Sequence, residues 1–173
     1  MKIFEGHQGT ISCLDFSRDG RLIASGSEDD TARIWELEGR QSTVFTIPTD
    51  VTSVAISHGS RLLAAGSLDS ITRLWDIATG QLLAWLKGHM NSVYSVTFSA
   101  NGRELITGSL DKTLKYWDIT TIIQRVQQGP KMDRTAHPAA SLQSTIDLVG
   151  HEVYYMHRMF MVAPLNATAR ISY

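Results

Sequence analysis

Three segments of this chain align without a gap: IASGSEDDTARIWE from Ile23, LAAGSLDSITRLWD from Leu63 and LITGSLDKTLKYWD from Leu105. Their tryptophans, Trp35, Trp75 and Trp117, stand 40 and 42 residues apart. Self-similarity at a fixed period governs every other reading of a sequence, because each unit must fold alike. A period of roughly 40–45 residues built from short strands is that of a propeller blade.

Each unit reads as strands. TISCLDFS, DVTSVAIS and NSVYSVTFS open the three units with apolar residues at alternate positions, as a half-buried strand requires. Turns follow at Asp19-Gly20, His58-Gly59-Ser60 and Asn101-Gly102. Asp-Gly and Asn-Gly tolerate positive φ and are strong hairpin signals. The second strand ends in SGS, AGS or TGS, and a second tight turn follows at Asp29, Asp69 and Asp111. The third strand ends at the tryptophan. STVFTI and QLLAWLK supply fourth strands, and KIF near the start reads as the fourth strand of an earlier blade. No segment reads as a long helix.

The chain has 173 residues, 43% hydrophobic and 19% charged, with a formal charge of −1. These values suit a soluble globular domain. So small a net charge gives no reason to expect nucleic-acid or membrane binding. The single cysteine, Cys13, allows no internal disulfide and favours an intracellular setting. MKIFEGHQG has no apolar core or cleavage site of a signal peptide, and no apolar run nears the roughly 18 residues of a membrane span. The sequon at Asn166-Ala167-Thr168 is read as chance.

Two Gly-His pairs, three Gly-Ser-x-Asp turns and three spaced tryptophans together resemble the WD-repeat family of β-propellers over about residues 4–119. The resemblance implies an all-β fold: a partial β-propeller of about three four-stranded antiparallel blades with an irregular C-terminal tail. The blades run over about 4–41, 42–83 and 84–120. In that family a blade is tied by the His of Gly-His, a hydroxyl on the second strand, the turn Asp and the Trp. A buried indole N–H needs an acceptor, and a hydroxyl can accept it and donate onward to an imidazole, which donates to a carboxylate. His7 lies 28 residues before Trp35, and His89 lies 28 before Trp117. Blade one thus uses His7, Ser25, Asp29 and Trp35, and blade three uses His89, Thr107, Asp111 and Trp117. The middle blade has Ile47 and Ala65 where His and hydroxyl belong, so it is expected to rely on apolar packing, with Trp75 seeking another acceptor.

A His-Ser-Asp set also invites a catalytic reading, but these residue types recur blade by blade beside a tryptophan, unlike a unique reaction centre. His137, His151 and His157 fit no closed metal site, no phosphate-cradling glycine motif is present, and MHRMFM reads as apolar strand or tail. No enzyme activity, metal or cofactor is expected. Binding is expected in loops. By family resemblance, Ser12, Thr52 and Tyr94, with Glu28, Leu68 and Leu110, line the top face. Tyr94, Leu68 and Leu110 have the makeup of a hot spot.

VTSVAIS, LAAGSLDSITRLWDIATG, HMNSVYSVTFS and GSLDKTLKYWDI resemble the C-terminal propeller of fungal Tup-type (Groucho-like) general transcriptional corepressors. That likeness implies a nuclear scaffold that docks on DNA-bound repressors and recruits corepressor subunits without reading DNA itself. Another WD-repeat adaptor, such as a ubiquitin ligase substrate receptor, or a truncated product without independent function, are the alternatives. Residues 121–145 read as an inserted loop. IDLVGH then restarts the motif, and 146–173 reads as an aborted fourth repeat. From about residue 153 the sequence leaves the family pattern, as a shifted reading frame or a misassigned splice would make it. A propeller fragment is expected to self-associate through its unclosed blades.

Overall fold

The computed structural model describes residues 1–39, 42–128, 145–149 and 152–156. The first repeat forms an antiparallel meander: β1 (Ile11–Phe16), β2 (Leu22–Ser27), β3 (Thr31–Glu36) and β4 (Ser42–Thr46), paired in that order. The second does the same with β5 (Val51–Ile56), β6 (Leu62–Ser67), β7 (Ile71–Asp76) and β8 (Leu82–Lys87). The third contributes β9 (Val93–Phe98), β10 (Glu104–Ser109) and β11 (Leu114–Asp118), with β10 in the middle. The all-β, partial-propeller architecture is the one the repeats imply.

The hairpin corners follow from the turn residues. Gly20 and Gly102 sit at φ 70° and 69°, the left-handed region that glycine enters without a steric penalty. At the other end of each blade the turn is closed by a non-glycine residue in the same region: Asp30, Ser70 and Lys112. Each preceding turn aspartate braces that corner. Asp29 accepts from the N–H of Thr31 at 3.1 Å, Asp69 from Ile71 at 3.1 Å and Asp111 from Thr113 at 2.8 Å.

The blades stack through their first strands, β1 against β5 and β5 against β9. Two apolar cores fill the seams. Ala24, Ala32 and Ile34 of the first blade meet Val51, Val54 and Ile56 of the second. Leu62, Ala64 and Leu74 of the second meet Val93 and Val96 of the third. Trp35, Trp75 and Trp117 are all buried.

Three departures from the sequence reading stand out. KIF forms no strand; Phe4 instead packs edge-on against Trp35, with ring centroids 5.8 Å apart. The start of the expected inserted loop is a helix, α1 (Thr120–Gln128). Asp118 accepts the Thr120 N–H at 2.9 Å as an N-terminal cap, and Ile119, Ile122 and Ile123 turn one apolar stripe onto the core. The i, i+3, i+4 spacing of those isoleucines was the overlooked signal. Finally, IDLV lies in a strand, β12 (Thr145–Val149), but that strand pairs parallel with β8 and not with β11. β13 (Glu152–Met156) pairs antiparallel with β12 and extends the second sheet to six strands. The rest of the expected loop and tail, with His137, His151, His157 and Asn166, lies outside the described residues.

Candidate interaction surface

The turns at one end of the blades are held from beneath by side-chain hydrogen bonds. In blade one the Trp35 indole N–H donates to Ser25 Oγ at 2.8 Å. Ser25 Oγ lies 2.7 Å from His7 Nε2, and His7 Nδ1 lies 2.9 Å from Asp29 Oδ2. The indole can only donate, so the hydroxyl accepts it and gives its own hydrogen to Nε2. Nδ1–H then donates to the carboxylate. Blade three repeats the chain through Trp117, Thr107, His89 and Asp111, at 2.9, 2.7 and 2.8 Å. All eight residues named from the sequence are thus brought together, four to a blade.

The carboxylates also hold the loop before the first strand. Asp29 accepts the Gln8 N–H at 2.8 Å, and Asp111 accepts the Met90 N–H at 2.9 Å. Burial opposes the charge on Asp29, but donors from Thr31, Gln8 and His7 outweigh it and hold the carboxyl well below the usual range. Asp111 is lowered in the same way: burial opposes its charge, and donors from Thr113, Met90 and His89 prevail.

The middle blade replaces this chain with another. Ile47 is buried where the histidine would lie, as the sequence implies, but the blade does not rely on apolar packing alone. Arg73 is buried and forks onto Asp69, with Nη2 2.6 Å from Oδ2 and Nη1 3.2 Å from Oδ1. Nη1 also reaches Ser67 Oγ at 3.1 Å, and Ser67 donates to Asp69 Oδ1 at 2.6 Å. Burial opposes the Asp69 charge, and Arg73 and Ser67 overcome it, lowering its pKa. Sequence reasoning missed Arg73. The signal was an arginine two positions before the tryptophan in the one repeat lacking its histidine. The corresponding Arg33 lies over the Trp35 ring instead, 5.7 Å from its centroid. Trp75 packs against Phe45, with centroids 5.5 Å apart.

The six residues expected on the top face divide. Ser12, Thr52 and Tyr94 each stand at a register shift at the start of a first strand, where two residues oppose one. Ser12 and Thr52 use their hydroxyls between blades. Ser12 donates to the carbonyl of Val51 and lies 3.1 Å from that of Gly26. Thr52 donates to the carbonyl of Val93 and lies 3.0 Å from that of Gly66. Tyr94 has no further blade beside it among the described residues and is exposed.

Glu28, Leu68 and Leu110 sit one position before the turn aspartates, and all three are exposed. Their N–H groups bond back to Thr10, Asp50 and Ser92, which fixes this end of each blade. Tyr94 and Leu110 line one open groove of about 420 Å³ with Ser95, Gly108, Lys112 and Leu114. Leu68 and Glu28 lie outside that groove. Met90 adds a further exposed apolar side chain, which the sequence reading overlooked. It follows the Gly-His histidine directly, where blade one carries Gln8. Among the described residues no cluster of His, Cys, Asp or Glu is arranged to hold a metal ion. No described helix is long and apolar enough to cross a membrane.

Repeated four-strand meanders, tryptophans tied to hydroxyls and histidines, and Asp-braced turns define a β-propeller blade. The WD domain, G-beta repeat family model matches residues 1–36, 39–76 and 80–118, and the chain belongs to that family. Its relatives include WD repeat-containing protein 18 of Rattus norvegicus, 40% identical over 58 residues, a match covering 32% of this chain and 13% of that protein. The periodic tryptophan protein 2 homolog of Schizosaccharomyces pombe is 44% identical over 57 residues, 32% of this chain and 7% of that protein. The serine-threonine kinase receptor-associated protein of Bos taurus is 53% identical over 36 residues, 21% of this chain and 10% of that protein. These matches thus span only a small part of the relatives' own length.

Proposed function

We propose that this chain is a non-enzymatic protein-interaction module, and that it grips its partner with the turn end of blades two and three. The observation that carries the reading is the exposure of Met90, Tyr94 and Leu110 at the turn end of blade three, where the His89–Asp111 hydrogen bond and the Met90 N–H on Asp111 hold the loop. Clustered apolar side chains of this kind on an ordered frame are the usual core of a hot spot. Leu68 extends the patch onto blade two. The His-Ser-Asp chain of blade one and the His-Thr-Asp chain of blade three tie the tryptophans to the turns, which gives them a structural task.

A finer reading makes the module part of a nuclear transcriptional corepressor that docks on DNA-bound repressors. It rests on the quoted segments of blades two and three, and the relatives named above bear other names. The formal charge of −1 accords with docking on proteins and not on DNA.

A pull-down comparing wild type with the double variant Tyr94→Ala, Leu110→Ala tests the surface. Loss of protein partners from the variant is expected; equal recovery removes the assignment. Tethering the chain to a promoter tests the finer reading. Repression of the reporter supports a corepressor role, and an unchanged reporter leaves only the interaction module.

A further inference from the structure

The two seams share one backbone plan but differ at the end of the blades opposite Tyr94. Leu62 and Leu74 of blade two correspond to Leu22 and Ile34 of blade one, and Ile119 after blade three corresponds to Ile77 after blade two. The Ile119 N–H bonds to the Arg103 carbonyl at 2.9 Å, as the Ile77 N–H bonds to the Arg61 carbonyl at 2.8 Å. At the second seam these positions are closed: Leu62, Leu74 and Ile119 are 3%, 0% and 0% exposed. Helix α1 follows directly. Its Ile122, 1% exposed, joins the same core, and Ile123 packs against that core. At the first seam a tight turn through Ala78 and Gly80 stands in place of the helix, and Leu22 and Ile77 are only half-buried. A groove of about 600 Å³ lies there, walled by Leu22, Ile34 and Glu36 of blade one and by Ile77 and Ala78 of blade two. Two blades with all four strands in place form it, so the groove belongs to the seam itself.

The rim of this groove is acidic. In blade two the carboxylate that follows the tryptophan, Asp76, is buried; it accepts from Arg61 Nε at 3.2 Å and from the Thr79 N–H at 2.9 Å. Its counterpart Glu36 is exposed, and among the described residues no donor reaches its carboxylate. Leu22 and Glu36 also border a hollow lined by Asp19, Arg21 and Glu38, so the rim carries three carboxylates to one guanidinium. An apolar floor beneath a net negative rim fits aliphatic side chains that stand beside a basic one. Aliphatic residues at i, i+3 and i+4 share one face of a helix, and the positive N-terminal end of a helix favours the same rim.

We propose that the groove of the first seam docks an amphipathic helix of a partner protein, with branched aliphatic residues on its buried face and a lysine or arginine facing Glu36. The chain's own helix α1 is the template for that occupant. Ile119, Ile122 and Ile123 form such a stripe on the core of the second seam, and Arg125 lies in the last turn of the helix. Docking of this kind reads the anchors of one helix face against an apolar groove. The groove lies at the opposite end of the blades from Tyr94, so this site is independent of the partner surface above.

The probe is a peptide of residues 118–128 of this chain, stapled through positions 120 and 124 to hold it helical, which carries the isoleucine stripe and Arg125. It is titrated into the isotope-labelled full chain and followed by NMR. Saturable shifts are expected at Leu22, Glu36, Ile77 and Ala78. Ala78→Trp narrows the groove from an exposed position and is expected to weaken binding about tenfold or more, the scale of a blocked hot-spot pocket. Glu36→Lys, also at an exposed position, is expected to weaken it about threefold, the scale of an exposed ion pair. The peptide variant Ile122→Ser with Ile123→Ser is expected to shift no resonance. The spectra of the two protein variants show directly that each is folded. No saturable shift, shifts confined to the second seam around Leu62 and Leu74, or unchanged affinity in Ala78→Trp or Glu36→Lys each overturn the proposal. Panning a displayed library of helical peptides on wild type, with Ala78→Trp as the counter-selection, gives a readout free of the α1 sequence. Enrichment of an aliphatic stripe with a basic residue beside it supports the proposal, and no enrichment, or acidic peptides without the stripe, overturns it.

Discussion

Gly26 and Val51 meet across the first seam so closely that a Cβ on the glycine would lie 2.5 Å from Val51 Cγ1 and equally near Cys13 Sγ. The glycine of the SGS, AGS and TGS triplets is therefore a seat for the next blade. Gly26→Ala should destabilise the chain by about 1–3 kcal/mol, the usual cost of overpacking a seam. Gly108→Ala, with only ordinary contacts around it among the described residues, should change stability by less than about 0.5 kcal/mol. Denaturant unfolding of the two variants beside wild type measures the contrast.

Ser25 and Thr107 each serve a buried tryptophan and a buried histidine nitrogen at once. Ser25→Ala or Thr107→Val leaves both partners unpaired inside the protein. Each variant should lose about 1–3 kcal/mol, and the corresponding indole N–H should exchange with solvent faster by NMR.

Arg73 holds blade two by a planar, two-point contact with Asp69. Arg73→Leu should cost about 1.5–3 kcal/mol, in the range of hydrogen bonds to charged groups. Arg73→Lys should recover only part of that, because an ammonium cannot span both carboxylate oxygens. Thermal unfolding of the three proteins ranks them.

The turn carboxylates set an acid limit. Asp29, Asp69 and Asp111 are all held below the ordinary carboxylate range of the unfolded chain, near about 3.9. Depressed folded-state values mean that their contribution is fully present above that pH. It is lost as pH falls below it, because the unfolded chain then binds protons that the folded chain does not. Unfolding free energy should be level in this respect near neutrality and decline from about pH 4 downward. Asp29→Asn with Asp111→Asn should flatten the acid limb of that profile.

Much of this could be read from residue order because the repeats check one another. A single Trp-Asp pair says little, whereas three tryptophans at near-equal spacing with matched turns specify the meanders and both His-hydroxyl-Trp chains. Where the repeats diverge, legibility fails. Arg73 was missed because its function depends on the absence of a histidine 26 positions earlier, a relation no local pattern states. Helix α1 was missed because its stripe is brief and follows a strand motif that set the expectation of a loop. Ser12 and Thr52 were read as surface hydroxyls; only the packed blades show them reaching the neighbouring strand's carbonyls.

The most direct test of the gripping surface is site-specific photo-crosslinking in cells from a benzoylphenylalanine at position 94, with one at exposed position 18 on the opposite turns as the control. Position 94 should capture a discrete second protein that position 18 does not. Adducts that contain only this chain's own peptides, or the same proteins captured from both positions, would contradict a partner-binding role for the end of the blades that carries Tyr94.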